Sequence, residues 1–187
     1  MATSFELLPG LPSSGPLPRW VPADWVRTGR EGLVVRFRPE TADPWVANFA
    51  PGLGGWSGVV SHPNGHDLLV VAGGDPYRVD GESGVIEEHE YLGPVFAVWT
   101  VPGSADLVVN VQGLAFLRLG PEGVIWHSRR LSWDGFRNVA IDSEHVSGDA
   151  WSPVSSTYYP FSIDIASGRS LGGAPEVPDQ AWEDLAE

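Results

Sequence analysis

The chain has 187 residues, with 11 Lys plus Arg against 24 Asp plus Glu, a net charge of −13, and no cysteine. That balance repels nucleic-acid phosphates and anionic lipid, which argues against direct binding to either, and the missing cysteines exclude disulfides and thiolate sites. Apolar burial and backbone ladders must therefore supply stability, and a reducing cytoplasm is the expected location.

Nine Trp, 23 Gly and 17 Pro describe aromatic strands punctuated by tight turns. The N-terminus has no basic segment followed by an unbroken apolar stretch, so no signal peptide is expected. No apolar run approaches the roughly twenty residues a membrane helix needs.

In chain order, residues 1–30 are expected to form an irregular arm. Pro9, Pro12, Pro16, Pro18 and Pro22 forbid a continuous helix or central strand there. Trp20 and Trp25 are its expected anchors, laying the arm over a sheet edge.

Regular punctuation begins at Gly32. Residues 33–37 and 45–49 read as a hairpin closed by the glycine-rich stretch 51–55. Short strands follow at 59–61, 67–72, 77–80 and 85–88, separated by HPNG, GGDP and DGESG. A second copy of this meander covers 95–100, 107–111, 114–119 and 124–128. A third runs through 138–141, 146–151 and 159–165, with glycine turns at Gly168 and Gly172. The tail over 175–187 is acidic, with one short helical turn expected.

The copies superimpose on Tyr77-Arg78-Val79-Asp80, Leu117-Arg118-Leu119-Gly120 and Phe161-Ser162-Ile163-Asp164. Asp80 to Gly120 spans 40 residues and Gly120 to Asp164 spans 44. Each motif precedes a turn ending in glycine, at Gly84, Gly123 and Gly168, and Val85-Ile86 matches Val124-Ile125, with Trp126 next. This pattern resembles the repeat of quinoprotein-type and WD40-type β-propellers over residues 58–173, departing from it at Gly120. The resemblance implies four-stranded antiparallel blades and says almost nothing about ligand. The segment Arg-Arg-x-Ser-Trp-Asp-Gly at 129–135 also resembles one carried by bacterial proteins, a resemblance that implies no activity. The expected fold is all-β, built of antiparallel β-meander repeats over 31–174 in a small or open propeller-like form, with a β-sandwich as the alternative.

The densest polar and aromatic cluster is the loop holding Arg129, Arg130, Ser132, Trp133, Asp134, Gly135 and Arg137. Its guanidiniums suit a carboxylate or phosphate, and Trp133 offers a flat contact, so Arg129, Arg130, Trp133, Asp134 and Arg137 are the candidate binding residues. The structural alternative has Asp134 closing an Asx-turn while Arg130 pairs across strands. Gly73-Gly74-Asp75-Pro76 lacks the following helix of a phosphate loop and reads as a hairpin turn. His62, His66, His89, His127 and His145 show no metal-ligand spacing, and no cofactor fingerprint is present. Asp80, Glu82, Glu87, Glu88 and Glu90 form the densest acidic patch, best explained by a solvent-facing strand; no G-x-S-x-G elbow is found. The expected function is a non-enzymatic interaction protein binding a basic protein partner, for instance as an inhibitor or immunity protein. The alternative is a hydrolase or small-ligand module using the 129–137 loop.

Overall fold

Alternating apolar residues bounded by glycine turns dictate strands with one buried face, and strands are what the chain forms. The computed structural model describes residues 3–88 and 93–177. Among them are sixteen strands in four four-stranded sheets and one 3₁₀ turn. The chain divides into two compact units, Met1–Val95 and Phe96–Glu187. The helical turn expected in the tail, together with His89 and Glu90, lies outside the described residues.

In the first unit, β1 (Ser4–Leu8), β2 (Arg19–Val21), β3 (Leu33–Arg38) and β4 (Trp45–Phe49) form sheet A in the order β1-β3-β4-β2. The sequence predicts an irregular arm over residues 1–30, but two strands lie there instead. β1 pairs antiparallel with β3, and β2 pairs parallel with β4. Ser4–Leu8 precedes the first proline and alternates in exposure, whereas β2 is a three-residue edge strand that tolerates Pro18 and Pro22 at its flanks. Trp20 meets Trp25 of the 3₁₀ turn Ala23–Thr28 edge-on, with ring centroids 5.6 Å apart.

Sheet B is the meander β5 (Gly58–Ser61), β6 (Leu68–Ala72), β7 (Asp75–Val79) and β8 (Ile86–Glu88), antiparallel throughout. The Ala72–Asp75 turn needs both Gly73 and Gly74, which sit at φ +53° and +95°. The loop 51–55 is fastened to that turn by Gly52 N–H to Ala72 O and Gly54 N–H to Gly73 O, at 2.9 and 3.2 Å. Sheets A and B share a core in which Phe37 stacks on Trp45 at 4.1 Å and Phe49 meets Tyr77 at 5.2 Å.

Sheet C, which lies in the second unit from Phe96 onward, is β9 (Val95–Thr100), β10 (Leu107–Val111), β11 (Ala115–Gly120) and β12 (Gly123–His127), in sequential order. Sheet D follows as β13 (Phe136–Ile141), β14 (His145–Ser152), β15 (Thr157–Asp164) and β16 (Ser170–Gly172), antiparallel throughout. Phe116, Phe136 and Phe161 meet pairwise at 4.7 to 5.5 Å at the centre of the core between these sheets. Val79, Leu119 and Ile163, matched by the sequence alignment, are all fully buried on the third strand of their sheets.

Candidate functional site

The candidate loop runs from the end of β12 into β13 and is drawn tight by backbone bonds. Leu131 N–H donates to Leu114 O at 2.9 Å, Trp133 N–H to Trp151 O at 3.1 Å and Gly135 N–H to Gly113 O at 2.9 Å. Gly135 stands at φ +87°, a conformation that favours glycine. At the centre is Ser132, fully buried: its hydroxyl donates to Gly135 O at 2.6 Å and accepts the N–H groups of Trp151 and Asp134 at 3.1 and 3.3 Å. The turn-closing side chain is therefore Ser132, while Asp134 is exposed. A short hydroxyl reaches the backbone without bringing a charge into a dry site, which a carboxylate would do.

The loop does bring its cations together with backbone acceptors and rings. Arg129 donates from Nη2 to Gly172 O at 2.6 Å and from Nη1 to Arg130 O at 3.1 Å. Arg130 donates from Nε to Ser132 O at 2.9 Å and lies 4.5 Å from the centre of the Trp133 ring. Trp133 is half-buried, and its indole Nε1 is shielded from solvent with no hydrogen-bond partner among the described residues. Arg137 turns away along β13, pairs with Asp149 at 3.2 Å and covers the Tyr158 ring at 3.9 Å. Arg129, Arg130 and Trp133 thus share the strap, Asp134 stands exposed on it and Arg137 belongs to the sheet.

The other sequence candidates resolve into turns. His62 accepts from Asn64 N–H at 3.2 Å, His66 bonds Asp67 at 2.9 Å, and Asn64 Nδ2 donates to Asp67 at 2.8 Å, so a polar turn separates the two imidazoles. Burial holds the His62 ring below its ordinary pKa. Asp80 accepts Glu82 N–H at 2.9 Å, and its hydrogen bonds, chiefly from Ser83, hold its carboxyl low. Glu82 is held low by the Glu40 N–H and by hydroxyls of Thr3 and Thr41. Glu87 pairs with Arg78. Asp75, beside loop 51–55, is instead pushed up by burial. Among the described residues, no group of three His, Cys, Asp or Glu is arranged to hold a metal ion.

Sequence reasoning missed two features of the second unit. Arg118 donates to Asp106 at 2.9 Å and to Ile165 O at 2.8 Å. A cleft of about 620 Å³ is lined by Arg129, His145, Ser162, Asp164, Arg169 and Ser170. No local motif signals this cleft, since Arg129, His145 and Ser162 lie apart in sequence. No helix among the described residues is long and apolar enough to cross a membrane. Comparison with protein-family models, with curated proteins and with solved structures gives no match.

Proposed function

We propose that this chain is a non-enzymatic, cytoplasmic interaction protein whose acidic surface receives a basic protein partner, in the manner of an inhibitor or immunity protein. The observation that supports it is how the positive charge is used. All eleven cations are arginine. Eight of them bind within the chain: Arg36, Arg38, Arg78, Arg118 and Arg137 to carboxylates, and Arg19, Arg129 and Arg130 to carbonyls. Glu40, Asp43, Glu122, Asp142 and Glu144 meanwhile stand exposed. An excess of 13 negative charges, with most of the arginines already engaged, attracts opposite charge from a distance.

The scaffold in this proposal is a repeat of propeller-blade type, one blade per sheet. Matching ion pairs in sheets B and C support it, as do the matching turns Asp80-x-x-Ser83-Gly84 and Asp164-x-x-Ser167-Gly168. In both turns the glycine N–H donates to the aspartate carbonyl at 2.8 Å.

Affinity capture from native lysate with mass spectrometry tests the function. A basic protein retained at low salt and released by salt is expected; a retained acidic partner contradicts the proposal. A small-ligand role for the 129–137 loop is less well supported, because Arg130 and Arg137 are already engaged by Ser132, Trp133, Asp149 and Tyr158.

A further inference from the structure

The buried face of sheet A does not stop where the sheet stops. On β1, Phe5 lies opposite Phe37 and Leu7 opposite Val35. Phe37 and Val35 are fully buried, but β1 is the outermost strand, and Phe5 and Leu7 stand 38% and 49% exposed in the same rows. A fifth strand beside β1 would cover both.

The other edges of the first unit offer no such row. β2 and β8 have three residues each; prolines flank β2, and Glu87 and Glu88 lie on β8. β5 exposes only Ser61. β1 runs five residues in unbroken register with no proline, bulge or lysine, the devices that blunt an edge. Its one charge, Glu6, is held at 3.3 and 2.6 Å by Arg36 and Arg38, which share the opposite face.

Both ends of β1 are fixed. Thr3 is buried against Gly81 and donates its hydroxyl to Glu82 at 3.0 Å, and Leu11 N–H donates to Glu31 at 3.2 Å. An incoming chain meets a template already in strand geometry, which lowers the ordering cost of pairing. The same contacts set carboxylates at both ends of the edge. Glu82, with Glu40 whose N–H it accepts at 2.9 Å, stands by the Ser4 end, and Glu31 stands beside Leu8. None of the three pairs with an arginine among the described residues. A second copy of this chain would bring 13 more negative charges to this edge, so charge favours a basic strand over self-pairing.

We propose that the free edge of β1 accepts an extended, basic strand from a protein partner. Alternate apolar side chains of that strand cover Phe5 and Leu7, while Lys or Arg at its ends meets Glu82 and Glu40 on one side and Glu31 on the other. The charge of the strand rests on the basic partner proposed above; the pairing rests on the edge itself.

The full chain, labelled with ¹⁵N, is titrated at low salt with the synthetic peptide KVTVTVK and, separately, with EVTVTVE, following backbone amides by NMR. Saturable shifts centred on residues 4–8 are expected with the lysine peptide, at an affinity about tenfold or more above that of the glutamate peptide. The double variant F5T/L7T is expected to weaken binding about tenfold, through loss of the apolar row. KVTPTVK, which lacks the central ladder donor, tests the pairing on the unaltered chain and is expected to bind about tenfold more weakly than KVTVTVK. No saturable shift at residues 4–8 with KVTVTVK, or equal affinity for its proline version, overturns pairing at this edge. Equal affinity for the lysine and glutamate peptides overturns the basic character of the strand, and with it the charge argument for the partner, while the edge stands. A dimer of the chain in sedimentation that F5T/L7T dissolves assigns the edge to a second copy and overturns the proposal as well.

Discussion

The indole N–H of Trp126 donates to the backbone carbonyl of Ile165 at 2.8 Å, joining the last strand of sheet C to the β15–β16 turn of sheet D. The first unit contains the same contact: Trp45 Nε1 donates to Gly81 O at 2.9 Å. Gly81 and Ile165 each follow the aspartate of the D-x-x-S-G turn, and both tryptophans are buried. The ring therefore packs in the core between two sheets while its one polar atom satisfies a turn carbonyl.

Replacing either tryptophan by phenylalanine keeps most of the apolar area and removes one buried hydrogen bond; Gly81 O then loses the donor from Trp45, whereas Ile165 O keeps the Arg118 Nη1–H. Trp45→Phe and Trp126→Phe are each expected to cost about 0.5–1.5 kcal/mol for the lost hydrogen bond, with a further loss for the smaller ring. Urea unfolding measures this as a lower midpoint at unchanged slope.

Gly168 has a φ of +71°, and a Cβ there would lie 2.8 Å from the Trp126 ring. Gly103, at φ +79°, has nothing within 4 Å of the same added atom. Gly103→Ala is expected to cost about 1 kcal/mol from backbone strain alone. Gly168→Ala adds a clash with a buried indole, for an expected loss of about 2 kcal/mol or more, read by thermal or urea melts.

Arg118 and Asp106 are mostly buried, at 18% and 10% side-chain exposure. Arg118→Met strands the carboxylate and is expected to cost about 3 kcal/mol. The exposed pair of Arg38 with Glu6 has no such penalty, and Glu6→Gln is expected to change stability by less than about 1 kcal/mol. Equal losses in the two variants would contradict this ranking.

His62 is buried, and desolvation lowers its pKa below the ordinary 6.5. The unfolded chain therefore binds the proton more readily than the folded one. The stability this provides is fully present above pH 6.5 and is lost as pH falls through the folded value. Unfolding free energy is expected to decline on acidification below that point. His62→Asn, which keeps an acceptor for the Asn64 N–H, should flatten the decline.

Most strands were legible because turn residues frame them: residues 45–49, 95–100 and 107–111 coincide with β4, β9 and β10. β1 and β2 were obscured by the prolines around them, which restrict central strands more than short edge strands. At the candidate site, composition pointed to the 129–137 loop, but the structural weight falls on the hydroxyl of Ser132 rather than on Asp134. The partners of Ser132 are Asp134 and Gly135, nearby, and Trp151, brought close by the pairing of β13 with β14. The cleft was not legible because Arg129, His145 and Ser162 lie apart in sequence and meet only through the pairing of β14 with β15 and the bond from Arg129 to Gly172 O.

Association kinetics of the chain with its captured partner, followed by stopped flow from low to high ionic strength, probes the acidic surface most directly. If surplus carboxylates steer a basic protein onto it, the association rate constant falls steeply as salt rises, while dissociation changes little. An association rate indifferent to ionic strength would contradict that role.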